Sequence, residues 1–196
     1  MAPLVRPSRP EWPAAAEVRR AWERARRRTI RIPLEVPTAG EALLTEYWPT
    51  GQAPHWAKAL SMLPAVAESQ IQQWEGVHQA SKLSAQAKAW VAWVTARENR
   101  AWYASWHAFQ RLRQMDYPEE RILDHTTQEE LEAVPAPILE FARRLTSEPY
   151  AIGDDDIARL RQLLSDHQIA ELVYVTATCN AFDRWTECLA LPIEQP

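Results

Sequence analysis

Lys88-Ala-Trp-Val-Ala-Trp-Val-Thr-Ala-Arg-Glu-Asn-Arg-Ala-Trp-Tyr-Ala-Ser-Trp-His107 carries four of the ten tryptophans, Trp90, Trp93, Trp102 and Trp106. In its middle stands a polar run, Arg97, Glu98, Asn99 and Arg100. Trp90 and Trp93 are three apart, while Trp102 and Trp106, like Tyr103 and His107, are four apart. At about 100° per residue each pair shares one face of a helix. The stretch therefore reads as two apolar helices meeting at a charged joint. An aromatic wall with a few ionisable groups at one junction suits a small-molecule site. A plain core with a polar bend has the same makeup.

Outward from this stretch, turn and cap signals divide the chain into helices. Pro13 suits a first helical turn, and 14–28 is expected to be helical. That segment holds Arg19, Arg20, Arg24, Arg26, Arg27 and Arg28. With Trp22 as its one aromatic, it is expected to be a solvated or subunit-contacting helix rather than a phosphate-binding one. The alternation in 30–37 is broken by two prolines, so it is expected to be an extended connector. Thr38-Ala-Gly-Glu41, Thr127-Gln-Glu-Glu130 and Ser165-Asp-His-Gln168 each have the spacing of a capping box. Ser84 is the expected N-cap of the first central helix, 85–97, and Asn99 marks the joint. Asp154-Asp-Asp156 precedes a helix, where carboxylates are favoured by free N–H groups and the helix dipole. Capping is expected there, and no metal. His78, four residues after Trp74, is expected to be a surface or core histidine.

Strand patterns are almost absent. With 15 prolines and only 4 glycines, a hairpin-rich β protein is disfavoured. The expected fold is all-α, with about eight to ten helices. It divides into an arm and basic helix at 1–37 and a helical domain at 38–196.

At 196 residues, 46% hydrophobic and 24% charged, the chain has ordinary globular composition. Its net charge of −4 is uneven: +4 over 1–60, +3 over 61–115 and −11 over 116–196. The two cysteines, Cys179 and Cys188, form no disulfide framework. On one helix they point to opposite sides, which fits a reducing compartment. No apolar run is long enough to span a membrane. A soluble cytoplasmic protein is expected, without nucleic-acid or membrane partners.

Several clusters carry a resemblance. Ala142-Arg-Arg-Leu-Thr146, Asp154-Asp-Asp-Ile-Ala-Arg-Leu160 and Leu164-Ser-Asp-His-Gln-Ile-Ala-Glu-Leu172 come first. Tyr174-Val175, Asn180-Ala-Phe-Asp-Arg184 and Leu189-Ala-Leu-Pro192 follow in order. Over about 40–194 this resembles the carboxymuconolactone decarboxylase/alkylhydroperoxidase D-like superfamily, particularly its peroxidase-related branch. The resemblance implies an all-helical bundle that assembles as a dimer, trimer or hexamer. It also implies a site at the start of a central helix, where redox members carry Cys-x-x-Cys-x-x-x-His with a relay glutamate one helix earlier. Placed on His107, the thiol positions fall on Arg100 and Tyr103; shifted by one, they fall on Ala101 and Ala104. The relay position falls on Lys88. Neither placement gives a thiol, and the family's peroxide chemistry needs two.

Acid–base chemistry remains. Histidine is the residue type suited to proton transfer near neutral pH, and His107 is the one histidine of the stretch. Tyr103, one turn away, is a candidate to share its proton, and Glu98 is a candidate second relay. Arg100, Trp102 and Trp106 are candidate substrate contacts. Three functions are carried forward. One is cofactor-free proton transfer on a small molecule through His107. Another is a non-catalytic helical oligomer for binding or assembly. The third is a thiol peroxidase using Cys179 or Cys188.

Overall fold

The computed structural model describes residues 12–79, 82–124 and 134–194. Ten α-helices and one 3-10 turn account for nearly all regular structure among them. In order these are α1 (Ala15–Arg26), α2 (Thr38–Tyr47), α3 (His55–Ser61), α4 (Pro64–Gln79), α5 (Ala85–Glu98), α6 (Trp102–Gln114), α7 (Glu119–Asp124), α8 (Ala136–Ser147), α9 (Asp154–Leu160) and α10 (Asp166–Cys188). The all-α expectation holds. His78 lies in α4, but its side chain is outside the described residues, as is the Thr127–Glu130 capping box.

α5 is the centre. From Ala87 to Arg97 every residue except Ala92 is buried, so the helix has no solvent face and its apolar pattern lacks a strong stripe. α6 packs against it as an antiparallel partner, and α8 and α10 cover its other sides. Trp90 and Trp93 are fully buried. Trp93 meets Trp22 and Phe109 with ring centroids 6.2 and 6.3 Å apart, whereas Trp90 stands edge-on to Tyr117 at 5.3 Å. These two tryptophans thus belong to one core.

Ser84 caps α5, its hydroxyl accepting from Ala87 N–H at 3.1 Å. Ser165 and Gln168 form the expected reciprocal box at α10. Thr38 does not cap: α2 begins at Thr38, with Pro37 at the cap position and no side-chain cap bond. Gly40 explains the tight entry, since a Cβ there would stand 2.1 Å from the Ser61 carbonyl oxygen at the α2–α3 crossing. Asp156 accepts from Gly153 N–H and pairs with Arg144 and Arg159, so this carboxylate of the Asp154–Asp156 run caps and bridges.

The basic helix is not a detached arm. Val18, Ala21, Trp22 and Ala25 of α1 are buried in the main core. Its arginines spread over the remaining faces, and Arg26 lies 4.4 Å above the Trp106 ring. The apolar positions at 18, 21, 22 and 25 have helical spacing, a signal masked by the density of arginine.

Three helices end in the same way. The residue after the cap adopts a left-handed conformation: Arg100 (φ 52°), Asp116 (φ 65°) and Ala190 (φ 54°). Each closes a Schellman motif; after α5, Ala101 N–H reaches Ala96 O at 2.9 Å and Arg100 N–H reaches Arg97 O at 3.1 Å. Non-glycine residues are strained there. Arg100→Gly should therefore raise stability by about 1 kcal/mol in urea unfolding, with Arg100→Ala giving no gain.

Candidate active site

The site forms where α6, the start of α3 and the tail after α10 meet. Ala190 turns that tail back across the molecule, where Leu191 and Ile193 are buried and Ile193 N–H reaches Ala25 O at 3.4 Å. Glu194 is thereby delivered between α3 and α6. It accepts from Tyr103 O–H at 2.6 Å and from His55 N–H at 2.7 Å, and its other oxygen lies 3.1 Å from His107 Nε2. His55 Nδ1 is 2.8 Å from Pro192 O, tying α3 to the same tail.

These bonds fix protonation states. Burial alone would raise the Glu194 carboxyl, but the hydrogen bonds and charge of His107, with the bonds from Tyr103 and His55, outweigh it and bring its pKa down to about 2. An ionised carboxylate only accepts, so His107 carries its proton on Nε2. In the neutral ring Nδ1 is then the free lone pair. Tyr103 is fully buried, and burial together with Glu194 pushes its phenol well above the ordinary range. Its proton is committed to Glu194, and its oxygen accepts from Trp56 N–H at 3.2 Å. Tyr103 holds Glu194 and packs against His107, ring centroids 4.6 Å apart, rather than bonding to the imidazole.

Beside His107 lies a cavity of about 300 Å³. Trp56, Trp74 and Phe182 form apolar walls, Ala92, Ala104 and Ala108 a small-residue side, and Arg111, Cys179 and Asp183 polar points. Trp74 and Phe182 stack at 4.9 Å. Burial pushes the Cys179 thiol far up, which keeps it protonated and unreactive. Burial also raises Asp183, against a hydrogen bond from Asn99, to about 8. Desolvation lowers the Arg111 guanidinium.

Of the candidate acid–base and substrate-contact residues, His107 alone lines this cavity; Cys179, the candidate thiol, lines it as well. Glu98 turns away and accepts from the Trp12 indole N–H at 2.7 Å. Arg100 is exposed at the α5–α6 joint. Trp102 donates its backbone N–H to Glu187 at 3.0 Å, which caps α6 from α10. Trp106 packs on Trp22 and Phe109. Arg97 is buried, donating to Pro13 O and Leu123 O. Glu194, His55, Arg111 and Asp183 were not singled out. Asp183 had a signal: it falls four residues after Cys179 and seven after Thr176, on the face that carries the apolar stripe of α10.

The structure also separates the two thiol placements. Ala101 and Ala104 are buried together with Ala96, and Ala104 lines the cavity. Arg100 faces solvent. The placement on Ala101 and Ala104 thus puts both side chains in buried surroundings, whereas the placement on Arg100 and Tyr103 puts the first in solvent. Lys88, at the relay position, is buried and paired with Glu171 at 3.0 Å.

Two solved structures share this architecture. One is an uncharacterised peroxidase-related protein from Silicibacter sp. TM1040, with a TM-score of 0.70 at 20% identity, covering 82% of this chain and 88% of that one. The other is an alkylhydroperoxidase AhpD core, an uncharacterised peroxidase-related protein from Ralstonia eutropha JMP134, with a TM-score of 0.71 at 14% identity, covering 97% and 95%. The fold is that of the AhpD core. At these identities the likeness establishes the AhpD-like fold, and the chemistry rests on the residues just described. No protein-family model and no curated protein matches the sequence. Among the described residues of this AhpD-like chain, no helix is long and apolar enough to cross a membrane.

Proposed function

We propose that this chain is a redox-degenerate member of the peroxidase-related, AhpD-like group that binds a small molecule in the His107 cavity and transfers a proton through that histidine. The observation that carries the reading is the His107–Glu194 contact at the cavity wall. Glu194 fixes the tautomer and supports a positive charge on the ring, as a buried carboxylate does for a catalytic imidazole. The reaction needs no redox pair. Ala101 and Ala104 occupy the thiol positions, and Cys179 is buried while Cys188 is exposed on the same helix.

Two assays test this. Hydrogen peroxide consumption with dithiothreitol should stay at background, unchanged by Cys179→Ser and Cys188→Ser. Thiol-dependent consumption that disappears in either variant overturns the non-redox reading. In a screen of small carbonyl and carboxylate compounds, His107→Gln should retain binding but lose turnover by at least about a hundredfold.

A second reading, a non-catalytic oligomer, is favoured by one feature. Exposed Leu63, Val66 and Tyr174 rim an apolar groove between α4 and α10. Trp56, Trp74 and Phe182 wall both this groove and the cavity. A second copy of the chain is the occupant proposed, since covering the groove also shields the cavity wall. Light scattering on wild type and Val66→Asp decides it: a monomer at all concentrations overturns this reading.

A further inference from the structure

We propose that Asp183 is the proton donor that shares the cavity with His107, so that the site enolises small carbonyl compounds with an apolar body. The proposal rests on the His107 reading above and adds the acid and the substrate class.

Asp183 is only 2% exposed, yet it borders two spaces. On one side it lines the cavity with His107. On the other it floors an outer basin lined by Arg31, Arg184 and Glu187. Its Oδ2 accepts from Asn99 Nδ2 at 2.9 Å. The same amide donates to Asn180 Oδ1 at 2.9 Å, which fixes its orientation because both partners accept. With Oδ2 occupied by a donor, the acid's own proton sits on Oδ1, which makes no hydrogen bond to the described residues. His107 has the complementary pattern, with Nε2 on Glu194 and Nδ1 free. One cavity is thus lined by a residue that carries an acid O–H and a residue that carries a basic nitrogen, set between apolar walls.

The charged and titratable groups around Asp183 are Cys179, Arg184 and Glu187 on α10, Arg31 in the basin, and His107 and Arg111 of α6 in the cavity. Burial dominates and Arg184 opposes it, so the carboxyl stays protonated up to about pH 8.

These groups suit a ketone with an acidic C–H beside its carbonyl. His107 Nδ1 takes the C–H proton, and that bond's electron pair becomes the C=C bond of an enol. Asp183 Oδ1–H gives its proton to the carbonyl oxygen, which takes up the carbonyl π pair. Reversal restores the ketone, so no oxidant, reductant or co-reactant is consumed. Asp183 exchanges its proton with solvent through the outer basin. The aromatic walls of Trp56, Trp74 and Phe182 select an apolar body, and the protonated acid selects a neutral carbonyl oxygen.

The experiment follows deuterium entry at the benzylic carbon of phenylacetone in D2O by proton NMR, using the full chain. Ligand binding is titrated separately by tryptophan fluorescence. Wild type should catalyse exchange, His107→Gln should lose it, and Asp183→Asn should slow it at least about tenfold at saturating ligand. The wild-type rate should fall as pH rises through about 8, a limb absent in Asp183→Asn. If Asp183→Asn does not fold, the wild-type profile decides alone, and a rate that keeps rising past that point overturns the role of Asp183. Exchange lost in His107→Gln but intact in Asp183→Asn, with an unchanged alkaline limb, sinks this proposal and leaves the His107 reading standing. No wild-type exchange, despite binding, overturns the enolising class alone. Exchange equal in wild type and His107→Gln overturns both.

Discussion

Glu194→Ala should destabilise the protein by on the order of 3 kcal/mol at pH 7, because it strips an acceptor from Tyr103 O–H, His55 N–H and His107 Nε2 together. Tyr103 is fully buried. The effect is pH-dependent with a definite sign. The folded pKa of Glu194, about 2, lies below its ordinary 4.5. A depressed pKa contributes stability that is present above the ordinary value and lost as pH falls toward the folded one. The gap between wild type and Glu194→Ala should therefore narrow between about pH 4.5 and pH 2. Urea unfolding from pH 7 down to the lowest pH at which the protein stays folded measures it. A gap that stays constant or widens on acidification would show that Glu194 is not held as an ionised acceptor. Glu194→Gln, which keeps an amide oxygen for Tyr103, should cost less and flatten the acid limb.

Replacing Glu171 by alanine should cost about 3–5 kcal/mol, the second large effect, because it leaves a buried ammonium without its carboxylate. Lys88 is 2% exposed and lies 3.0 Å from Glu171. The same carboxylate accepts from Lys82 N–H at 2.8 Å and Leu83 N–H at 3.0 Å, so it also ties the start of α5 to α10. Lys88→Met should be far milder, about 1 kcal/mol or less, since a long apolar side chain suits the burial and Glu171 keeps two backbone donors. The asymmetry is the test. Equal losses in the two variants, read by thermal and urea unfolding, would mean that the pair acts through its attraction alone and not through the desolvation of Lys88.

Both predictions turn on carboxylates, Glu194 and Glu171, to which the sequence reading gave no role, for one reason. The partners of Glu194 lie 87, 91 and 139 positions away, and those of Glu171 lie 83, 88 and 89 away. No periodicity or cap signal spans such separations. The helices are local: proline and cap positions with runs of 3.6-residue spacing set the basic helix, 14–28, and the first central helix, 85–97, within two residues of Ala15–Arg26 and Ala85–Glu98. The mistaken cap at Thr38 shows the limit, since the close approach of Gly40 to Ser61 decides the entry to α2. For α1, four arginines concealed an apolar face that the fold buries.

The sequence by itself determined an all-helical chain, a break at Asn99–Arg100, the lack of a Cys-x-x-Cys pair, and His107 as the titratable side chain of the central stretch. Those properties follow from residue type and spacing within a few turns. Tertiary structure alone decided which groups meet His107. A left-handed Ala190 turns the tail back to seat Glu194, α10 brings Asp183 to the cavity, and Glu98 and Arg100 point elsewhere. The physical reason is that helix propensity fixes the direction of a side chain relative to its own axis, whereas a site is set by how several axes pack, and that packing is governed by burial summed over the whole core.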